Sequence, residues 1–512
     1  MSTARSGMEL LHAVEADGAI FEPSLEGFCL WPVLRSVTWQ VVGRVSISST
    51  VPSLWRRLLR QPVVMTMPLY AAWAAWQRMR LRRRSGGFMF HSVESYRSVR
   101  LAEGWWNVYL DDIANALQSA HDVLWCEERV FAFSPWRTVG PRHLFTDGQM
   151  LDMSLGAVVV RDDEARRQAD VVLAVLSARL AELDQPLTAR EHTTLRHFMV
   201  QGARRFRRAL RWYRKLMQQL APRVLVLTNA YNEHGVVAAA RERGLPVVEF
   251  QHGQIHPNHP GYMWTDAARA WRRRLAIPDQ VATYGAYWSG LLTRSGFWRS
   301  EEVPAIGSIS MDRLRHERSA PADRDRPQII FTTQFATRSW TVPLLREFID
   351  RAEAAGVAFD LIVKVHRGEH QYIDEYRALA RGSRAVRVLS AYEGDTLALI
   401  AASDVHVSGW STCHFESVGL GTPTVVLRSA GTAALADLEQ FAEVWQASSA
   451  EELLEAVQRI GLATGAAPAR GASAEALFRP GALRNAVALL KSVDAEARAG
   501  AAGEVSGSGR RP

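Results

Sequence analysis

Residues 408–423 hold the densest run of groups suited to phosphate and ribose chemistry: Ser408-Gly409-Trp410-Ser411-Thr412-Cys413-His414-Phe415-Glu416, closing on Gly421-Thr422-Pro423. Gly409 leaves the backbone bare for close approach, and Ser408, Ser411 and Thr412 supply hydroxyls and amides. A helix starting there offers the positive end of its dipole to a diphosphate. Glu416, one helical turn on, is spaced to accept hydrogen bonds from two ribose hydroxyls. The same residues also fit a plain capped helix followed by a turn into a strand. A second pair, Lys364 and His366, joins a cation to a hydrogen-bond donor. In isolation a Lys-x-His pair is an ordinary strand end.

The first half of the chain offers Asn229, Tyr231, Asn232, Glu233 and His234 in one loop, and Glu249, Gln251, His252, His256, His259 and Tyr262 in another. A general base must lose and hold a proton near neutral pH, and Glu233, His252 and His259 are the candidates. The alternatives are structural: His252 bonding backbone to fix the turn at Gly253, and Glu233 as a charge at a helix start. Three histidines fall within residues 252–259, but Pro257 and Pro260 break any helix that would align them, and no metal site is expected.

These groups need elements to hold them at strand ends. From residue 223 onward buried strands alternate with helices: a strand over 223–228, a helix over 234–243 stopped by Gly244, and a strand over 246–250. A charged, Pro-containing linker over 317–327 separates a second series. Its strands are expected at 328–332, 359–365, 386–389, 405–407 and 422–427, with helices near 343–355, 372–381, 396–402 and 414–419. The fold class is therefore α/β, with two Rossmann-like doubly wound domains facing a cleft, behind a helical, basic amino-terminal extension. The expected boundaries are 1–90 for the amino-terminal region, 91–316 for the first doubly wound domain, 328–494 for the second and 495–512 for a disordered tail. A basic helix over 195–220 reads as an amphipathic cover on a sheet. The first 200 residues are otherwise mostly unassigned.

Composition sets outer limits. The 512 residues are 47% apolar and 22% charged, the balance of a folded protein with about two to four domains. Cys29, Cys126 and Cys413 lie far apart, which disfavours a disulfide scaffold or a zinc ribbon. Lys plus Arg is 61 against 53 for Asp plus Glu, a formal charge of +8, and residues 55–84 alone carry eight arginines with no acid. That one segment equals the whole excess, so a global nucleic-acid surface is not indicated. Its apolar run over 62–76 is 15 residues long, against about 20 for a spanning helix. With Trp55, Tyr70, Trp73 and Trp76 beside the arginines, it has the composition of a segment that lies in an anionic membrane interface; the alternative is a solvated basic helix. No secretory signal interrupts the expectation of a cytoplasmic protein held peripherally at the inner membrane face.

Residues 408–427 resemble the nucleotide-binding end of bacterial capsule and surface-polysaccharide glycosyltransferases of the GT-B fold, a superfamily related to the UDP-N-acetylglucosamine 2-epimerases. The resemblance implies that Ser408, Gly409, Ser411 and Thr412 bind donor phosphates and that Glu416 holds the ribose. Lys364-Val365-His366-Arg367 resembles the Lys-Pro-His-Pro motif of that group, with both prolines replaced. Its histidine contacts the donor phosphate or supports the leaving group. Gln251-His252-Gly253 resembles the Gln-His-Gly turn of these transferases, Ile306-Gly307-Ser308 their Gly-Ser turn near the donor phosphates, and residues 27–35, more distantly, their amino-terminal region. Gln334, after the first strand of the second domain, faces the same cleft on this reading. The implied activity is transfer of a sugar from a nucleotide sugar to a glycan or lipid-linked glycan of a capsule, exopolysaccharide or lipopolysaccharide. The implied catalytic residues are His252, Glu233 and His366, no cofactor or metal is called for, and no nucleic acid is bound. A UDP-sugar 2-epimerase and a teichoic-acid-type polyol-phosphate transferase are the alternatives. If residues 55–84 seat the protein on anionic lipid, changing Arg78, Arg80, Arg82, Arg83 and Arg84 to Gln releases it from anionic vesicles in a flotation assay without altering nucleotide affinity. Retention on the vesicles contradicts the interfacial role.

Overall fold

The computed structural model describes residues 6–43, 87–93, 96–101, 104–128, 143–145, 161–317, 326–334, 337–429, 435, 437–463 and 472–507. The basic segment over 55–84 and most of the 317–327 linker lie outside the described residues. The chain divides into two compact units. One comprises residues 1–283, 289–305 and 483–512, the other residues 284–288 and 306–482.

The first unit opens with helices α1 (Gly7–Glu15) and α2 (Trp31–Val42). Its sheet is built from β1 (Phe88–Val93), β2 (Val123–Glu128), β3 (His143–Phe145), β4 (Val224–Leu227), β5 (Val247–Phe250) and β6 (Gln280–Ala282). All neighbours pair in parallel, in the order β3-β2-β1-β4-β5-β6. Apolar runs such as Val224–Leu227 suit strands covered on both faces. The sequence pattern left β1, β2 and β3 unassigned. β1 carries His91 and Ser92 and β2 carries Glu127, so polar residues interrupt runs that would otherwise read as strands. Helix α3 (Ala189–Leu220) lies over this sheet, and its Tyr213 hydroxyl meets His91 Nε2 at 2.6 Å, as expected of an amphipathic cover. Three of its arginines, Arg207, Arg211 and Arg214, converge on Glu26.

The amino-terminal helices fasten the histidine-rich loop. Buried Arg35 on α2 donates to both carboxylate oxygens of buried Glu15 on α1, to the Pro260 carbonyl, and to the Met263 carbonyl at 2.6 Å. Trp31 Nε1 and the Thr265 hydroxyl also donate to Glu15, at 2.8 and 3.2 Å, so the buried carboxylate is fully engaged. Helix α4 (His234–Glu242) follows β4.

The second unit contains β7 (Gln328–Thr332), α5 (Arg338–Ala354), β8 (Asp360–Lys364), β9 (Val386–Leu389), α6 (Thr396–Ala401), β10 (Val405–Ser408), α7 (Cys413–Leu420), β11 (Thr424–Leu427), β12 (Val444–Ala447) and α8 (Ala450–Ala463). The sheet is again wholly parallel, in the order β9-β8-β7-β10-β11-β12. Phe331, Val363, Val407 and Val425 form its core with Leu345 and Phe348 of α5 and Leu453 and Val457 of α8. Both sheets thus have the 3-2-1-4-5-6 order of a doubly wound nucleotide-binding fold, in which the chain reverses direction between the first and fourth strands.

Two boundaries differ from expectation. The last helix, α9 (Ala482–Gly507), belongs almost wholly to the first unit, where Asp494 accepts from Arg223 Nε at 2.6 Å. A disordered tail from 495 is replaced by helix through Gly507, in keeping with the helix propensity of its alanines and the Arg498–Asp494 pair one turn apart at 2.8 Å. The region near 372–381, expected as one helix, is a short α-helix, Ile373–Arg377, flanked by 3₁₀ turns.

Candidate functional site

In open parallel sheets, ligands bind outside the carboxyl ends of the strands, where the strand order reverses. In the second unit that place lies between β7 and β10, and residues 408–412 leave β10 there. Ser408 ends β10 and its hydroxyl donates to the Thr332 carbonyl on β7 at 2.7 Å, closing the two strand ends together. Gly409 follows. A Cβ built there would sit 3.4 Å from Trp340 and 3.5 Å from Thr337, ordinary contact distances, so protein packing does not demand a glycine. What the glycine leaves is bare backbone.

Ser411 is buried, and its hydroxyl accepts from the Cys413 amide at 3.2 Å, as a cap at the start of α7. Thr412 is exposed at the N-cap position and makes no side-chain cap bond, which leaves its hydroxyl available at the positive end of the helix. Glu416 is half-buried one turn later; burial, with Asp395 adding to it, pushes its carboxyl up to about 7. Trp410, more than a third exposed, projects from the same loop and was assigned no role in sequence.

Thr333 Oγ1 accepts from the His366 amide at 2.8 Å and so ties the end of β7 to the end of β8. The exposed His366 ring accepts from the Gly368 amide at Nδ1, 3.0 Å away. In the neutral ring this places the proton on Nε2, an outward donor. Lys364 does not point outward as sequence reasoning expected. Its Nζ donates to the Ser390 and Glu393 carbonyls at 2.8 and 2.7 Å, and burial lowers its pKa. It fixes the turn after β9 and keeps one N–H beyond those two bonds. Gln334 stands just after β7, and its backbone carbonyl accepts from the Thr337 hydroxyl at 2.8 Å. Gly307 has φ +105°, and a Cβ there would come within 2.2 Å of the Arg479 carbonyl; packing against the returning chain accounts for this glycine.

The first unit has its own cluster at the carboxyl ends of β4 and β5. Tyr231 Oη lies 3.4 Å from His252 Nε2, and the His252 ring also packs on Tyr96 and Tyr109. Asn229 donates to Tyr96 Oη at 3.3 Å. Tyr231, His259 and Tyr262 pack edge-on or tilted against one another with centroids 4.7–5.3 Å apart. Burial holds the histidines neutral, lowering His252 to about 4 and His259 to about 3, and His256 also downward. His256 and His259 each accept a backbone amide two residues on, so they brace the loop. Glu233 stands at the N-cap of α4 without a side-chain cap bond. Among the described residues no group of three or more His, Cys, Asp or Glu side chains is placed to hold a metal ion, and no helix is long and apolar enough to cross a membrane.

Glu249 was named in sequence but given no role. It lies in β5 with 1% of its surface exposed and accepts from the Tyr262 hydroxyl at 2.7 Å. Burial pushes it up to about 7. An acid inside the apolar run Val247–Phe250 was the available signal, since burying an ionised carboxylate costs several kcal/mol, about what an active group justifies.

No protein-family model matches the chain, and no curated protein matches it. Solved structures of similar shape include UDP-GlcNAc 2-epimerase from Neisseria meningitidis bound to UDP-GlcNAc, at 13% identity over 79% of this chain and 98% of that one, TM-score 0.42. Another is MurG from Acinetobacter baumannii, at 12% identity over 79% and 99%, TM-score 0.45. A third is a putative UDP-N-acetylglucosamine 2-epimerase from Listeria monocytogenes, at 10% identity over 80% and 96%, TM-score 0.46.

The pH dependence of Glu249 has a definite sign. The folded state keeps a proton up to about pH 7 that the unfolded chain, with a pKa of 4.5, gives up earlier, so this group's contribution is present below pH 4.5 and is lost as pH rises to 7. Glu249→Gln keeps an acceptor for Tyr262 and removes the titration. Urea unfolding should show the variant gaining on the wild type by on the order of 3 kcal/mol between pH 4.5 and pH 8. An equal difference at both pH values contradicts a buried, protonatable Glu249.

Proposed function

We propose that the chain is a nucleotide-sugar-dependent glycosyltransferase that extends a surface polysaccharide or lipopolysaccharide at the inner face of the membrane. The observation that carries this reading is the loop between β10 and α7 at the strand-order reversal of the second unit. There Gly409, Ser411 and Thr412 lead into a helix start, Glu416 follows one turn on, and His366 presents a donor at the end of β8.

In this reading the loop amides and the Thr412 hydroxyl hold the donor phosphates, Ser411 sets the helix start by accepting from the Cys413 amide, and Glu416 accepts from the ribose hydroxyls in its ionised form. The acceptor oxygen forms a bond to the anomeric carbon as the bond from that carbon to the phosphate oxygen breaks. The leaving phosphate keeps the electron pair, and His366 Nε2–H donates to it. The acceptor proton passes to His252 or Glu233. His252 suits the task only as a neutral imidazole, the state its burial enforces. Lys364 acts at one remove, holding the turn over 390–393.

A second reading, a UDP-sugar 2-epimerase, needs carboxylates for proton transfer at a sugar C2. A panel of nucleotide sugars, with and without a lipid-linked glycan, separates the two: glycan extension supports the transferase and isomer formation the epimerase. Ser411→Ala with Thr412→Ala should weaken nucleotide binding in calorimetry by about ten-fold or more, the worth of one to two hydrogen bonds to a charged group. Unchanged affinity removes the loop from the site.

A further inference from the structure

Behind the loop assigned to the nucleotide runs a line of hydrogen bonds that the transfer chemistry does not use. His406 in β10 and His414 in α7 are fully buried with ring centroids 5.0 Å apart. Each presents Nδ1 to the Thr424 hydroxyl on β11, both at 2.7 Å. His406 Nε2 lies 2.9 Å from the Thr332 hydroxyl on β7, and His414 Nε2 lies 2.7 Å from the Gly409 carbonyl.

One end of this line determines every proton in it. Burial keeps both rings neutral, His414 falling to about 4 and His406 well below its ordinary value, so each has one N–H and one lone pair. A carbonyl only accepts, so His414 donates from Nε2 to Gly409 and accepts at Nδ1. Thr424 must then donate to His414. A hydroxyl has a single proton, so Thr424 accepts from His406 Nδ1–H, and His406 Nε2 accepts from Thr332. No other assignment of neutral rings avoids two protons or two lone pairs meeting.

The end product is a fixed peptide plane. The Gly409 carbonyl is drawn inward to His414, and in a trans peptide the N–H of the next residue, Trp410, points the opposite way. Glycine would otherwise let that peptide rotate at little cost. We propose that His414 and Thr424 are positioning residues for nucleotide binding, which hold the Gly409–Trp410 peptide with its N–H turned toward the phosphates. This rests on the reading of the loop as a nucleotide site.

The test compares Thr424→Val, which removes the hydroxyl but keeps a branched side chain in a buried strand, with Thr424→Ser, which retains it. Affinity is measured by calorimetry for whichever of UDP, GDP and CMP binds the wild type most tightly, on proteins shown by circular dichroism to be folded at the assay temperature. Thr424→Val should raise Kd about ten-fold and Thr424→Ser less than about two-fold, the difference expected of one misdirected donor to a charged group. His414→Leu should match Thr424→Val, and His414→Gln, whose amide nitrogen is able to donate to the same carbonyl, should recover part of the loss. A lowered Tm in Thr424→Val with an unchanged Kd overturns the proposal, because a role in packing alone would do that. If no nucleotide binds the wild type, the functional reading fails, and the peptide lock is judged by amide hydrogen exchange over residues 409–413 in the free protein. Faster exchange in Thr424→Val but not in Thr424→Ser supports the lock; equal exchange in both refutes it.

Discussion

The parallel pairing of β7 with β8 on one side and β10 on the other decides where everything in the second unit stands. Its register sets Thr332 beside Lys364 and Phe331 beside Val407, so the chain leaves all three strands at one level. Beyond that level the ladder stops, and backbone and side-chain polar groups must find other partners. Thr333 supplies one for the His366 amide, Ser408 one for the Thr332 carbonyl, and Lys364 two for the turn after β9. The polar residues at these strand ends thus serve the fold first. Those left with outward donors, Thr412 and His366, are the ones available to a ligand.

The first unit obeys the same constraint with different chemistry. Its strand order is the same, but a ring of tyrosines and neutral histidines surrounds the strand ends in place of a small-residue loop. Holding that ring requires an anchored loop, and the buried Glu15–Arg35 pair provides the anchor through carbonyls at 260 and 263. Removing one partner of such a pair would strand a buried charge, a loss of about 3–5 kcal/mol, so α1 and α2 are as much part of this cluster as the histidines themselves.

The fold of the second unit was legible in sequence because its strands are uninterrupted apolar runs separated by helix starts and glycine stops. Thr424–Leu427 and Val405–Ser408 differ little from the expected spans. The first unit was half hidden: β1 and β2 carry His91, Ser92 and Glu127, which pair inside the protein and disguise the strands as loops. The candidate site was legible as a set of residue types, but sequence does not disclose direction. Lys364 reads as a phosphate ligand until its Nζ is seen on two carbonyls, and Gly307 reads as a ligand turn until the Arg479 carbonyl is seen against it. His414, hidden within the motif, is a buried donor to Gly409. Glu249 was visible as an acid in an apolar strand and passed over because nothing local announces a partner thirteen residues away.

On the proposed function, the loop from Gly409 to Glu416 holds the phosphates and ribose of a nucleotide. A crystal structure of the protein with a bound nucleoside diphosphate tests it most directly. Phosphate oxygens are expected within hydrogen-bond distance of the Trp410 and Ser411 amides and the Thr412 hydroxyl, with both ribose hydroxyls on Glu416. A nucleotide seated elsewhere, with Gly409–Glu416 untouched, would contradict it.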